Sequence, residues 1–280
     1  MKFKIVHLKI ILIILLCSII DFLAHGLTSA IAPFRVLNNP SVISKHIGFI
    51  GASFLWIIIA FSAVTLWYFI CKKIPPICNS NKNALILGLS VGILWFIGMI
   101  ESDVMSTSTS FISESIMGLC DASQIVLLTI LLNKFSSNKI TKNEDVKIPL
   151  STKKIIISIC IFTMTFVGIR YIFYLTELIS SGYIIKPVPT FIWTMSMGIF
   201  IGILYILFND VLKNSSIFLK GLYFTFVIFG IPWFSFLSFI PIVFQATFMD
   251  IILRCLCDGL SVFLGYFFSS HINKILLERL

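Results

Sequence analysis

The chain has 280 residues, of which 58% are hydrophobic and only 12% charged, and its mean hydropathy is +1.05. Soluble globular domains are about half apolar and about a quarter charged, so this composition excludes an ordinary soluble domain. The formal net charge of +9 does not indicate nucleic-acid binding, because the basic residues follow a membrane topology, as described below. Apolar runs of about 20 residues recur without strict alternation, which predicts a multi-pass α-helical membrane protein rather than a β-barrel.

The N-terminal stretch MKFKIVHLKIILIILLCSII has a basic start and an apolar centre, as signal peptides do. Its apolar run continues past Asp21 to about Ile31, which is long enough to cross a bilayer, so we expect an uncleaved first helix. Seven further apolar runs follow. The eight predicted spans are 5–31, 48–71, 84–101, 111–133, 154–177, 190–209, 216–240 and 244–270.

The basic residues predict the orientation of these spans. If both termini are cytoplasmic, 16 of the 21 Lys and Arg residues lie on the inner side and only Arg35, Lys45 and Lys186 lie in outer loops. Such asymmetry is typical of inner-membrane proteins. The inner basic residues are Lys2, Lys4, Lys9, Lys72, Lys73, Lys82, Lys134, Lys139, Lys142, Lys147, Lys153, Lys154, Lys213, Lys220, Lys274 and Arg279.

The most hydrophilic segment lies near the middle of the chain, at NKFSSNKITKNEDVKIPLSTKK (133–154). It predicts a cytoplasmic linker between two halves. We therefore expect a first four-helix unit over 1–135, a linker over 136–153 and a second four-helix unit over 154–280.

Matching landmarks indicate that the second unit duplicates the first. The tripeptide Leu-Cys-Asp occurs twice, ending at Asp121 and at Asp258. The same offset along the chain relates Trp56 to Trp193 and also Tyr68 to Tyr205, while the offset from Gly88 to Gly221 is slightly shorter. Because four spans return the chain to the same side, such repeats are parallel, about an axis along the membrane normal.

The predicted unit resembles small four-helix bacterial integral membrane proteins of unknown function, through the stretch DFLAHG (21–26) and an acid in the fourth helix. Asp121 and Asp258 fit the second element. The second half lacks the first element, since Phe166 and Arg170 align with Asp21 and His25. The resemblance implies a four-helix fold and no particular activity.

Ionisable residues within the spans are the candidate functional groups, because a charge at mid-bilayer costs about 2.5–3.5 kcal/mol on insertion scales. Asp21 and His25 share one helix face; they form a hydrogen-bonded pair, or a metal or proton site only if further ligands converge. Asp121 has no basic neighbour on its own helix, so it requires a partner elsewhere, a proton or a ligand. Further stripes on single helices are Glu114–Asp121, Arg170–Tyr174–Glu177 and Asp250–Arg254–Asp258.

The last of these stripes also fits an internal ion-pair ladder, with Arg254 neutralising Asp258. The four striped helices are expected to surround a central, outward-opening acidic cavity. Glu101 and Asp103 precede the polar stretch MSTSTS and are expected in the wet outer loop, and Pro232 is expected to kink the seventh helix.

Motifs for phosphate binding, serine hydrolysis or zinc proteolysis are absent from the sequence, and no cofactor is expected. The pattern favours a secondary transporter or channel for a small cationic solute or protons. An intramembrane enzyme acting on lipid or isoprenoid, and an accessory subunit with a membrane partner or as a homo-oligomer, are the alternatives. The chain is rich in Ile, Lys, Asn and Phe, which suggests an AT-rich genome and a bacterial plasma membrane. Candidate ligand- or ion-binding residues are Asp121, Asp21, His25, Asp258, Arg170 and Arg254.

Overall fold

The computed structural model describes residues 2–29, 40–72, 81–105, 110–136, 151–208, 215–245 and 248–278. Most of the predicted linker over 136–153 lies outside these residues. The described residues are almost entirely helical, with one isolated β-bridge between Pro40 and Phe244. The helices are α1 (Lys2–Thr28), α2 (Val42–Lys72), α3 (Asn81–Met105), α4 (Phe111–Ser136), α5 (Thr152–Leu175), α6 (Pro187–Phe208), α7 (Ile217–Tyr223), α8 (Ile231–Leu237), α9 (Phe239–Val243) and α10 (Phe248–Glu278).

Eight helical segments in the described part of the chain are long and apolar enough to cross a membrane. This confirms the predicted number of spans and the all-helical class. Helices are the expected solution because lipid offers the backbone no hydrogen-bond partners. The first seven spans lie close to the predicted ranges, and the last extends to Ile275.

Two helix ends differ from the predicted boundaries. The second helix begins at Val42 and contains a break at Gly48, whose φ of 76° and ψ of 163° are not helical. Glycine permits this conformation at little steric cost. The fifth helix ends at Leu175, and Glu177 follows in a turn with a φ of 53°. Glu177 is exposed there, so it does not extend the stripe that begins at Arg170.

The seventh span is not one regular α-helix. A π-helical segment, Phe224–Gly230, connects α7 to α8, and α9 follows after Ser238. Pro232 stands at the second position of α8. A proline inside a helix removes one backbone donor and forces the preceding turn to widen, which accounts for the π-helical segment.

The chain divides into two compact units. Unit 1 comprises Met1–Asp103, Thr107–Asp145 and Pro232–Thr247, and unit 2 comprises Val104–Ser106, Val146–Ile231 and Phe248–Leu280. In unit 1, α1 packs against α2 and α4. In unit 2, α5 packs against α6 and α10.

The end of the seventh span is anchored in unit 1 by two tryptophans. Trp56 donates its indole N–H to the carbonyl of Ser235 over 3.1 Å, and Trp95 donates to the carbonyl of Pro232 over 2.9 Å. The two indole rings stack with centroids 5.6 Å apart. These donors satisfy backbone carbonyls where the helical winding is interrupted, which a lipid environment requires.

Each unit contains the same tyrosine contact near one end of its last long helix. The hydroxyl of Tyr68 donates to Oδ1 of Asn133 over 3.2 Å in unit 1. In unit 2 the hydroxyl of Tyr205 lies 3.4 Å from Oγ of Ser270. Both partners of the second pair follow those of the first by the offset that relates Asp121 to Asp258.

Contacts of small residues with a neighbouring helix match in the same way. A Cβ on Gly88 would lie 2.9 Å from Cα of Val126, and a Cβ on Gly221 would lie 3.1 Å from Cε2 of Phe263. Gly221 follows Gly88 by the shorter of the two offsets found in the sequence. Phe263 follows Val126 by the longer offset, which also separates Asp121 from Asp258. Such small residues let membrane helices approach each other closely. The next turn repeats the match, in the pairs Gly92–Ala122 and Thr225–Gly259.

Candidate functional site

A cluster of polar side chains lies between the last turns of α1 and the first three turns of α4. The i,i+4 spacing of Asp21 and His25 places both on the face of α1 that packs against α4. Met117 and Asp121 have the same spacing on α4 and face them. We call Asp21, His25 and Asp121 the acidic cluster.

His25 is the centre of the acidic cluster. Its Nε2 lies 2.8 Å from Oδ1 of Asp121 and 3.7 Å from Oδ2 of Asp21. Its Nδ1 lies 3.0 Å from the sulfur of Met117. Asp21 and His25 are close enough for an ion pair but do not form the expected hydrogen bond, and the shorter contact of the imidazole is to Asp121. The condition that further ligands converge on His25 is therefore met.

The carboxylates of the acidic cluster are deeply buried. Asp21 is 0% and Asp121 1% exposed, whereas the side chain of His25 is 19% exposed. Neither carboxylate oxygen of Asp21 accepts a hydrogen bond. A buried carboxylate without a hydrogen bond is unfavourable unless positive charge or a proton compensates it. Asp21 is therefore the group in this cluster that most requires a further partner.

The charge of the acidic cluster is not balanced by basic residues. Among the described ion pairs, the only basic partner of Asp21 and of Asp121 is His25. Two carboxylates thus share one imidazole, which carries at most one positive charge.

The three residues of the acidic cluster could also hold a metal ion. Each offers one ligand atom, and these atoms all lie within 4.8 Å of one another. Glu114 stands two turns before Asp121 on α4 and is also buried, at 8% exposure. It extends the acidic face of α4 beyond the cluster.

Unit 2 contains a closed ion pair between α5 and α10. Nε of Arg170 donates to Oδ1 of Asp258 over 2.6 Å, and Nη2 donates to Oδ2 over 2.7 Å. Both residues are 0% exposed. The guanidinium also donates to the hydroxyl of Tyr174 over 3.1 Å and lies 4.8 Å from the ring centroid of Trp193. This two-point geometry is the strongest form of an arginine–carboxylate contact.

The predicted ladder on the last helix includes a contact between Arg254 and Asp250. Arg254 lies 3.6 Å from Oδ2 of Asp250 and donates to the carbonyl of Ser180 over 2.7 Å. The backbone N–H of Ser180 in turn donates to Oδ1 of Asp250 over 2.9 Å. A two-point contact to Asp258 comes from Arg170 on α5. A partner on a neighbouring helix can meet both oxygens in plane, which a residue one turn away on the same helix cannot do easily.

Two further residues differ from the sequence-based expectations. Glu101 lies within α3 and is only 6% exposed, so it is not in a wet loop. Met117 is not among the predicted site residues, although its position four residues before Asp121 places it on the same helix face. The central cavity predicted from the four striped helices stays a prediction.

Comparisons with protein-family models, with curated proteins and with solved structures found no match to this chain.

Proposed function

We propose that this multi-pass membrane protein is a secondary transporter or channel for a small cation, and that the acidic cluster of Asp21, His25 and Asp121 binds the cation on its way across the bilayer. The observation that carries the proposal is the carboxylate of Asp21, which is fully buried and accepts no hydrogen bond. Ionisable groups within spans are costly and commonly mark an ion pathway.

We further propose that the chain arose by duplication of a four-helix unit, with parallel repeats and both termini in the cytoplasm of a bacterial cell. The tyrosine contacts and the glycine contacts of the two units support this proposal. In each case both residues in unit 2 follow their counterparts in unit 1 by the offsets found in the sequence. Under this proposal, the pair of His25 and Asp121 in unit 1 corresponds to the pair of Arg170 and Asp258 in unit 2.

The duplication gives the two units different roles. Arg170 supplies a permanent positive charge at the position of His25, so its carboxylate partner needs no cation. A buried ion pair with both oxygens satisfied holds two helices together and offers little to a ligand. Unit 1 keeps an uncompensated carboxylate and therefore retains the site, while unit 2 serves as a scaffold.

The test is cation uptake by purified protein in sealed liposomes, driven by an imposed ion gradient. Asp21→Asn and Asp121→Asn remove one carboxylate each without changing side-chain shape, and uptake should fall to the level of protein-free vesicles. Glu177→Gln is the matched control, because it removes one exposed carboxylate outside the helices. Full uptake by both cluster variants, with intact folding, would contradict the proposal.

A further inference from the structure

We propose that the acidic cluster is a binding site for one divalent first-row transition-metal ion, with Nε2 of His25 and one carboxylate oxygen each from Asp21 and Asp121 as ligands. This inference names the cation of the proposed function and rests on it for its biological meaning. Metal binding itself is measured without transport, so the two can fail separately.

The distances within the cluster fit a small ion. A tetrahedral zinc ion with bonds of about 2.0–2.1 Å holds its ligand atoms about 3.3 Å apart. The separations from Nε2 of His25 are 2.8 Å to Asp121 and 3.7 Å to Asp21, which bracket that value. All three ligand atoms lie within 4.8 Å of one another, so rotations about the χ angles of these side chains would have to bring them closer to complete the geometry.

The contact between His25 and Met117 prepares the imidazole to bind a metal. A thioether sulfur accepts hydrogen bonds and cannot donate one, so the Nδ1 atom at 3.0 Å carries the proton. Nε2 lies 2.8 Å from Oδ1 of Asp121, a hydrogen bond that requires a proton between the two atoms; a metal ion would replace that proton and bind the lone pair of Nε2. Metal-binding histidines are commonly oriented in this way by a partner of the other ring nitrogen.

A divalent ion would also neutralise the net negative charge of the cluster. Two ionised carboxylates and one neutral imidazole carry two negative charges, which one divalent ion neutralises. A monovalent ion such as Na⁺ would leave one negative charge in a site where Asp21 and Asp121 are almost fully buried. The divalent ion also supplies the unpartnered oxygens of Asp21 with a positive neighbour.

The donor set favours one class of metal. One imidazole nitrogen and two carboxylate oxygens suit Zn²⁺, Co²⁺, Mn²⁺ and Fe²⁺, whereas Ca²⁺ requires six to eight oxygens and Mg²⁺ an octahedron of oxygens. The sulfur of Met117 faces the opposite ring nitrogen, so a soft thioether site for Cu⁺ is not formed. Three protein ligands leave a fourth position open, as in exchangeable rather than structural zinc sites.

The experiment measures metal binding to the purified full chain in detergent, stripped with a chelator and free of any histidine tag. Isothermal titration with Zn²⁺ should give one ion per chain. Co²⁺ should produce the intense visible absorption of a tetrahedral site. Asp21→Asn, Asp121→Asn and His25→Ala should each weaken Zn²⁺ binding at least about 100-fold, and Met117→Leu about 10-fold, because it removes only the partner that orients the ring.

The control variant is His271→Ala, which removes an exposed histidine on α10 and should leave Zn²⁺ affinity unchanged. Circular dichroism and gel filtration exclude misfolding of the cluster variants. Absence of Zn²⁺ and Co²⁺ binding by the unaltered chain, or unchanged affinity in Asp21→Asn and His25→Ala, would overturn the metal assignment. If the protein takes up another cation but binds no metal, the metal assignment fails and the proposed function stands. If it binds metal but takes up no cation, transport alone is refuted.

Discussion

Substitution of Asp258 by asparagine tests whether the ion pair of unit 2 is structural. The change removes the negative charge that faces Arg170 while keeping nearly the same side-chain shape. Arg170 is 0% exposed and donates to both oxygens of Asp258. Removing one partner of a buried ion pair leaves an uncompensated charge and costs about 3–5 kcal/mol.

The equivalent change in unit 1 should behave differently. Asp121→Asn removes one of two negative charges around a single imidazole, and its amide can still hydrogen-bond to Nε2 of His25. A hydrogen bond of ordinary strength contributes about 1 kcal/mol, which limits what a weaker contact to His25 can cost. We therefore expect the free energy of unfolding to change by no more than about 1 kcal/mol in this variant.

The assay is reversible unfolding in mixed micelles, followed by tryptophan fluorescence, with both variants and the unaltered chain in the absence of added metal. A double variant, Arg170→Met with Asp258→Leu, provides the control, since replacing the whole pair by apolar groups should recover much of the lost stability. Equal destabilisation by Asp258→Asn and Asp121→Asn would refute the division of roles between the two units.

Three further predictions concern helix packing, the two tyrosine contacts and the break in the second helix. Gly88→Ala should destabilise the protein by about 1–3 kcal/mol, because its Cβ would lie 2.9 Å from the backbone of Val126, whereas Gly168→Ala, with no atom within 4 Å, should be neutral or stabilising in the same unfolding assay. Tyr68→Phe and Tyr205→Phe should each cost about 0.5–1.5 kcal/mol; a clear loss in one and none in the other would count against equivalent contacts. Gly48→Ala should cost about 1 kcal/mol because φ is 76° there, and a rise in the unfolding midpoint would contradict the strain.

The number of spans could be predicted from the sequence because each depends on a local property, about 20 apolar residues in a row. Asp121 could be chosen as the leading candidate for a related reason, since its helix offers no basic neighbour. Its actual partner, His25, lies on a different helix and far away in the sequence. Such a contact depends on how α1 and α4 rotate against each other, which spacing along one helix does not determine.

The same limit explains the differences in unit 2. Arg254 and Asp258 are one turn apart, so the sequence favours a pair on one helix. Arg170 reaches both oxygens of Asp258 from α5, a contact that spacing along one helix does not indicate. The polar residues that follow Glu101 favour a position near water, but α3 continues to Met105 and buries it.

The position of a bound metal ion tests most directly whether the acidic cluster is the metal site. Anomalous scattering from crystals of the full chain loaded with Zn²⁺ would locate the ion. The account predicts a single strong peak within about 2.0–2.2 Å of Nε2 of His25 and of one carboxylate oxygen from each of Asp21 and Asp121. A peak confined to surface residues, with the acidic cluster holding no metal in a protein that binds Zn²⁺, would contradict it.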